Sequence, residues 1–133
     1  MTETEARAFL TRYFDTATQG TDFDAFAALF TEDAVLEDPV GTPPLRGRTA
    51  IRDFLAAGRA RIERSTVTLH EVKACGDEAA ARWSVELRTT DGRELAFDGI
   101  GVFVFAGPGT LRHVREFWDV AALAQLFADL KAT

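Results

Sequence analysis

Asp38 is the first residue whose position suggests chemistry. It closes the stretch from Ala34 to Asp38, whose alternation places it on the same strand face as Ala34 and Leu36. A carboxylate that shares an apolar face is expected to have a raised pKa, which makes it a usable general base near neutral pH. The structural alternative is an aspartate at a strand end that accepts backbone N–H groups before Pro39.

Tyr13 and Glu116 are two further candidates. Tyr13 lies within an apolar stripe of helical spacing, where a buried phenol needs a hydrogen-bond partner. Glu116 shares a strand face with Val114 and Trp118, so it faces the same space as Trp118 does. Two carboxyl groups around one space suit acid–base chemistry, in which one protonates an oxygen and the other activates a nucleophile. A core tyrosine and a solvated surface glutamate are the structural alternatives.

Aromatic residues and two glycines mark a candidate binding pocket. Gly99 and Gly101 remove two side chains from a strand face that also carries Phe97 and Phe103, as the floor of a pocket would require. A bulge or bend in a curved sheet is the other reading of these glycines. The expected substrate-binding residues are Phe30, Val40, Phe54, Leu55, Trp83, Val85, Phe97, Gly99, Gly101, Phe103, Val114 and Trp118. A plain core role is the alternative for most of them.

Three helices are predicted to position the first of these residues. Apolar residues three and four apart predict a helix from Ala6 to Ala17, with a capping box at Thr2 and Glu5 and a stop at Gly20. Two further helical stripes consist of Phe23, Phe26, Ala27 and Phe30, and then of Ile51, Phe54 and Leu55. A last stripe, at the end of the chain, consists of Leu123, Leu126, Phe127 and Leu130.

Strands are predicted over most of the remaining chain. After the short strand that ends at Asp38, they cover Val67 to Val72, Ala79 to Leu87, Leu95 to Phe105 and Leu111 to Trp118. The turns between them contain Gly76-Asp77, Asp91-Gly92 and Gly107-Pro108-Gly109. Helices that precede a run of strands indicate the α+β class, with a curved, mostly antiparallel sheet and the helices packed on one side of it.

Composition limits the classes of function. The chain has 133 residues, 47% of them hydrophobic, which predicts a single domain over residues 1–133. Fifteen basic against 21 acidic residues give a net charge of -6, the wrong sign for binding nucleic acid or an anionic membrane. One cysteine and two histidines are too few for a structural zinc site. Without an apolar run of about 20 residues or a signal peptide, a cytoplasmic protein is expected.

The segment from Glu32 to Arg48, followed by Ile51 and Phe54, resembles the corresponding segment of bacterial ketosteroid isomerases. It also resembles the wider group of SnoaL-like polyketide cyclases and epoxide hydrolases with the nuclear transport factor 2 fold. The final strand, which ends Glu116-Phe117-Trp118-Asp119, is similar as well. The resemblance covers almost the whole chain and implies a cone in which sheet and helices enclose a deep apolar pocket, often within a homodimer.

The resemblance also implies roles for individual residues. Asp38 matches an aspartate that moves a proton between carbon atoms of an enolisable ketone, and Tyr13 matches a tyrosine that donates to the developing enolate oxygen. Gly101 stands where these isomerases have a protonated aspartate as second donor, and loss of such a donor costs about 10²–10³ in rate. Related polyether epoxide hydrolases pair the aspartate with a glutamate near the position of Glu63, so Glu63 competes with Glu116 as its partner.

Three functional hypotheses follow. The first is a small cofactor-independent enzyme that transfers protons on an apolar polycyclic or polyketide-type substrate, with Asp38 as general base and Tyr13 as hydrogen-bond donor. The second is an epoxide hydrolase or ether-ring cyclase of polyketide biosynthesis that uses Asp38 with Glu116 or Glu63. The third is a non-catalytic module that binds small molecules. All three predict a homodimer without metal, cofactor, nucleic acid or membrane partner.

Overall fold

A computed structural model describes residues 1–122 of the chain, so the helical stripe predicted at Leu123 to Leu130 lies outside the described residues. The helices are α1 (Glu3–Thr18), α2 (Phe23–Ala27), α3 (Arg48–Ala60) and a 3-10 turn, Val120–Ala122. The strands are β1 (Phe30–Glu37), β2 (Leu45–Arg46), β3 (Ile62–Cys75), β4 (Glu78–Thr89), β5 (Glu94–Gly107) and β6 (Thr110–Trp118).

The strands form one six-stranded sheet in the order β2-β1-β6-β5-β4-β3. Neighbouring strands are antiparallel except β1 and β6, which run parallel. Helix α1 packs against β3, and α3 contacts β1, β2 and β3. The α+β class and the mostly antiparallel sheet with N-terminal helices are therefore confirmed.

Helix α1 holds Tyr13 against the sheet. Thr2 Oγ1 accepts from the Glu5 backbone N–H at 3.1 Å and Glu5 Oε1 accepts from the Thr2 backbone N–H at 3.0 Å, so the predicted capping box is present. The helix ends at Thr18, close to the predicted stop at Gly20. Its buried residues are Ala6, Phe9, Leu10 and Tyr13. The stripe read from the sequence is thus the face that packs on the core.

A bulge in β3 bends the sheet beneath α1. Leu69 pairs with Trp83 and Val72 with Ala81, so three steps along β3 match two along β4. Arg7 of α1 donates to the carbonyl oxygens of this irregular segment, at 3.3 Å to Leu69 and 2.6 Å to His70. The extra residue explains the odd sequence spacing of these apolar positions and adds curvature to the sheet.

One local prediction was wrong, and long-range strand pairing explains the difference. Phe30 does not continue the second helix, because it begins β1 and pairs with Leu111 of β6. Strand β1 is therefore longer than the predicted stretch from Ala34 to Asp38. Leu111 and His113 do not share a strand face, because the β5–β6 register shifts between Val104 and Phe105. Leu111 is fully buried, whereas His113 is half-exposed.

Candidate active site

An apolar cavity lies between the sheet and helices α1 and α3. Its wall contains most of the residues predicted for the site: Tyr13, Asp38, Phe54, Leu55, Trp83, Val85, Phe97, Glu116 and Trp118. The remaining lining residues are Phe14, Ala17, Thr18, Phe26, Leu36, Gly58, Arg59, Ile62, Ser65, Val67 and Leu87. Three titratable side chains, those of Tyr13, Asp38 and Glu116, thus share a cavity wall that is otherwise mainly apolar.

Asp38 enters the cavity directly after the last residue of β1. The parallel pairing of Glu37 with Arg115 brings it beside Glu116, whose carbonyl oxygen accepts from the Val40 backbone N–H at 2.9 Å. Trp118 Nε1 donates to Asp38 Oδ1 at 2.8 Å. This hydrogen bond orients a half-buried carboxyl group toward the cavity, as a general base requires.

Glu116 is a buried carboxyl group, with 4% of its surface exposed. Burial raises its pKa well above the usual value, the charge of Asp38 raises it further, and the indole N–H of Trp83 offsets part of the rise. The neutral acid is therefore favoured near neutral pH. Glu116 Oε1 and Trp83 Nε1 make no hydrogen bond of standard geometry with any residue among 1–122. A buried acid whose oxygen makes no hydrogen bond of standard geometry is available to a substrate oxygen.

The two glycines of β5 make room for these side chains instead of forming an open floor. Gly101 pairs with Glu116 across the strands, and a Cβ at position 101 would collide with Glu116 Oε1 and lie 2.7 Å from Phe103 Cε2. At Gly99 a Cβ would lie 2.5 Å from a ring carbon of Trp83. Neither glycine lines the cavity. The glutamate carboxyl thus occupies space that any side chain at position 101 would need.

Tyr13 presents a neutral phenol to the same site. It is 5% exposed and packs against Phe26 and Phe103, with ring centroids 5.2 and 5.5 Å away. Burial raises its pKa well above the usual value, and the carboxyl groups of Glu116 and Asp38 add to the rise. The hydroxyl therefore keeps its proton and can donate it in a hydrogen bond to a developing negative charge.

Several predicted site residues lie outside the cavity wall. Phe30, Phe103 and Val114 are fully buried core residues, because they pack against neighbouring side chains deeper than the cavity. Val40 contributes its backbone N–H to Glu116 and does not line the cavity. Glu63 also lies outside the cavity wall, and its exposed side chain accepts from Arg88 Nε at 3.0 Å. The structure therefore brings Glu116, and not Glu63, to Asp38.

The sequence reading missed the polar end of the cavity, which Thr18, Arg59 and Ser65 line. Helical periodicity identifies the apolar faces of α1 and α3 but not that both helices end at the same place. Within residues 1–122, no cluster of three or more His, Cys, Asp or Glu side chains could hold a metal ion. No helix in this part of the chain is long and apolar enough to cross a membrane.

Comparisons with known proteins identify the family and the fold. The family model described as the SnoaL-like domain matches residues 10–114. The chain is 38% identical over 114 residues to a "Steroid Delta-isomerase" from Nocardioides simplex, which covers 86% of this chain and 89% of that protein. The fold of the present chain matches a solved structure of SalBIII, which is described as an epoxide hydrolase/cyclase-like enzyme in pyran ring formation in polyether salinomycin. That match has a TM-score of 0.75 at 24% identity and covers 90% of this chain and 95% of the other.

Proposed function

We propose that this chain, which belongs to the SnoaL-like domain family, is an isomerase or cyclase that works by acid–base catalysis on an apolar substrate. The observation that carries the proposal is the convergence of Asp38, Tyr13 and Glu116 in one apolar cavity. Burial favours the neutral forms of Tyr13 and Glu116, so the site combines one candidate base with two neutral donors. Such a division suits proton transfer next to a carbonyl group.

The reaction that fits best is isomerisation of an enolisable ketone on a polycyclic or polyketide-type substrate. Asp38 takes a proton from the carbon next to the carbonyl, and the electron pair of that C–H bond moves to form an enolate. Tyr13 and Glu116 donate hydrogen bonds to the enolate oxygen while both keep their protons. Asp38 then returns the proton to a different carbon. The steroid isomerase relative supports this reaction class.

Glu116 supplies the second hydrogen-bond donor in this proposal. Its partner across the strands, Gly101, has no side chain to offer, and the carboxyl group of Glu116 reaches into the space that this glycine leaves. A neutral carboxylic acid in an apolar site is an effective donor to an oxyanion because its proton is retained at neutral pH. The donor thus reaches the site from β6.

The test is an ultraviolet assay for conversion of a β,γ-unsaturated ketosteroid to the conjugated enone, run on the wild type, Asp38→Asn and Glu37→Gln. Glu37 precedes Asp38 but faces the other side of the sheet, so it is the matched control. We expect enone formation by the wild type and Glu37→Gln only. Activity that survives in Asp38→Asn would overturn the role of Asp38. A binding module would bind the steroid without converting it in any variant.

A second candidate is opening of an epoxide by water or by a substrate hydroxyl. The proximity of Glu116 to Asp38 favours it, because a neutral acid can protonate the epoxide oxygen while the carboxylate activates the nucleophile. A polyether-type hydroxy-epoxide incubated with the wild type and Glu116→Gln separates this candidate from the first. Ring opening by the wild type without ketosteroid turnover would identify an epoxide hydrolase or cyclase.

We further propose that the chain forms a homodimer through the outer face of its sheet. Ile100 and Phe117 pair across β5 and β6, and they are 50% and 40% exposed. Burying adjacent apolar side chains of this kind stabilises association. Analytical ultracentrifugation should give twice the monomer mass for the wild type, and the monomer mass for Ile100→Asp. A monomeric wild type would contradict this proposal.

A further inference from the structure

The cavity extends along the sheet from a deep end to a shallow end. Along β4 the inward-facing residues become less buried in order: Ala81 is 1% exposed, Trp83 5%, and Val85 and Leu87 8%. Ala81 lies in the row of Gly101 and Glu116, whereas Leu87 pairs with the half-exposed Ser65 of β3. Glu116 therefore lies at the deep end, beside the half-buried Asp38.

The strand register gives the distance between these two rows of residues. Ala81 and Leu87 are six residues apart on β4, and a strand rises about 3.4 Å per residue, so the two rows are about 20 Å apart. A fused four-ring skeleton bound through a carbonyl at the deep end does not by itself fill that length. A substrate with an additional chain reaches the Ser65 row.

Arg59 supplies a charged group at the shallow end. It is half-buried near the end of α3, and its Nη1 donates to the Ala17 carbonyl oxygen at the end of α1, at 3.3 Å. That bond fixes the guanidinium beside the mouth, because Ala17 lines the cavity too. Among residues 1–122, Arg59 forms no ion pair and this is its one hydrogen bond. A guanidinium carries five N–H donors, so most of them remain for a ligand.

Arg52, another arginine of α3, differs from Arg59 in having carboxylate partners. Arg52 lies two turns earlier and forms salt bridges with Asp24 and Asp53, at a position outside the apolar cavity. Ser65 also lines the cavity, and its carbonyl oxygen accepts from Gln19 Nε2 at 3.5 Å, just beyond the end of α1. Within residues 1–122, Arg59 is a cation without a carboxylate partner, and it borders the mouth of the cavity together with Ser65.

We propose that the substrate is an acid: an apolar ring system whose reacting oxygen lies at Asp38, Tyr13 and Glu116, with a carboxylate on a chain that reaches Arg59. This inference rests on the proposed function, because that reaction fixes which end of the substrate lies at Asp38, Tyr13 and Glu116. Arg59 binds the carboxylate through charge-assisted hydrogen bonds, and Ser65 donates a further one. The charge selects for acids, while the separation of the two ends selects for chain length.

The alternative role of Arg59 is purely structural. Its bond to Ala17 satisfies a carbonyl in the last turn of α1, a turn without basic residues of its own. In that case removal of the charge lowers the melting temperature but leaves ligand selectivity unchanged. Selectivity between an acid and its ester therefore separates the two roles.

The experiment compares 3-oxochol-4-en-24-oic acid with its methyl ester as probes. Both tryptophans of the chain, Trp83 and Trp118, line the cavity, so quenching of tryptophan fluorescence reports binding. We expect the wild type to bind the acid about 10–100-fold more tightly than the ester, the range for a hydrogen-bonded charge. Arg59→Gln should lose that preference, and Arg59→Lys should retain part of it. The matched control Arg52→Gln should keep it in full.

Three results would overturn the inference. These are equal affinity of the wild type for acid and ester, a preference that survives in Arg59→Gln, and a preference that Arg52→Gln loses as well. Failure of the proposed function is recognised separately. If Asp38→Asn and the wild type convert ketosteroids equally, but the acid preference depends on Arg59, the catalytic proposal fails and the acid-binding end stands.

Discussion

The two faces of β6 and its neighbour β1 hold carboxyl groups in opposite electrostatic states. On the outer face, His113 Nε2 and Arg115 Nε lie 2.7 and 3.1 Å from Glu37 Oε2. These two partners lower the pKa of Glu37. On the inner face, one residue further along each strand, burial and the charge of Asp38 raise the pKa of Glu116.

The difference shows how little sequence separates a structural carboxylate from a reactive acid. Glu37 is adjacent to Asp38, and Arg115 is adjacent to Glu116, but alternation along a strand sends neighbours to opposite faces. The outer carboxylate meets the imidazole of His113 and the guanidinium of Arg115. The inner carboxyl groups meet indole N–H groups, a phenol and each other. The environment of the face, and not the residue type, therefore decides which form of the carboxyl group is stable.

The largest expected effect is the difference in activity between two amide variants of neighbouring carboxylates, Asp38→Asn and Glu37→Gln. We expect Asp38→Asn to lower kcat by about 10³-fold, because a general base contributes about 10²–10⁴ in rate. Glu37→Gln should stay within about twofold of the wild type. Steady-state kinetics of the two variants on the same ketone make the comparison. Similar losses in both would mean that the inner face has no special role.

Glu116 gives the next largest effect, and its pH dependence tests its protonation state. Because the neutral acid is the donor, wild-type activity should fall as the pH rises through the raised pKa of Glu116. Glu116→Ala should lose about 10²–10³ in kcat, the cost of one donor to an oxyanion. Glu116→Gln still donates an N–H, so it should retain most of the activity and lack that alkaline fall. If Glu116→Gln showed the same fall in activity at alkaline pH as the wild type, another group would be the cause of that fall.

The stability of the protein should depend on Glu116 in the same direction. A carboxyl group whose pKa is raised by folding contributes stability that is fully present below its unfolded pKa and is lost as the pH rises through its folded pKa. Urea unfolding of the wild type should therefore show declining stability over that window. The Glu116→Gln curve should be flatter, since the amide does not titrate. A parallel decline in both proteins would remove Glu116 as its cause.

Two glycines of β5 provide a third comparison, between the interior and an open end of one strand. A Cβ at Gly101 would collide with Glu116 Oε1 and a ring carbon of Phe103, whereas a Cβ at Gly107 meets no atom within 4 Å among the described residues. We expect Gly101→Ala to lower the free energy of unfolding by about 1–3 kcal/mol, as overpacking does. Gly107→Ala should change it by less than about 0.5 kcal/mol. Urea midpoints measure both.

Sequence periodicity was sufficient for most elements but not for the site as a whole. The capping box at Thr2 and Glu5, the hairpin at Asp91-Gly92 and the inward position of Asp38 follow local rules, so the sequence contains them. Phe30 has helical spacing but pairs with β6, because a long-range strand partner outweighs local preference.

Register explains what the sequence could not provide at the centre of the site. That Gly101 lies opposite Glu116 depends on the β5–β6 pairing, which no local pattern specifies. The sequence left Glu63 and Glu116 as alternative partners for the same reason, since the pairing of Glu63 with Arg88 of β4 is also a contact between strands. The charged mouth at Arg59 depends on where two separate helices end.

The smallest expected effect is that of Glu37→Gln on stability. Its dependence on pH should have the opposite sign to that of Glu116→Gln on the inner face. The pKa of Glu37 is lowered by folding, so the stability it contributes is present above its unfolded pKa and is lost as the pH falls through its folded pKa. Glu37→Gln should therefore destabilise the protein near pH 7 by no more than about 1 kcal/mol, as expected for a partly exposed ion pair. Relative to the wild type, Glu37→Gln should therefore lose stability as the pH rises from acid, where the difference disappears, whereas Glu116→Gln should gain stability relative to the wild type as the pH rises. Thermal unfolding of both variants across pH would contradict the contrast if the two effects changed in the same direction.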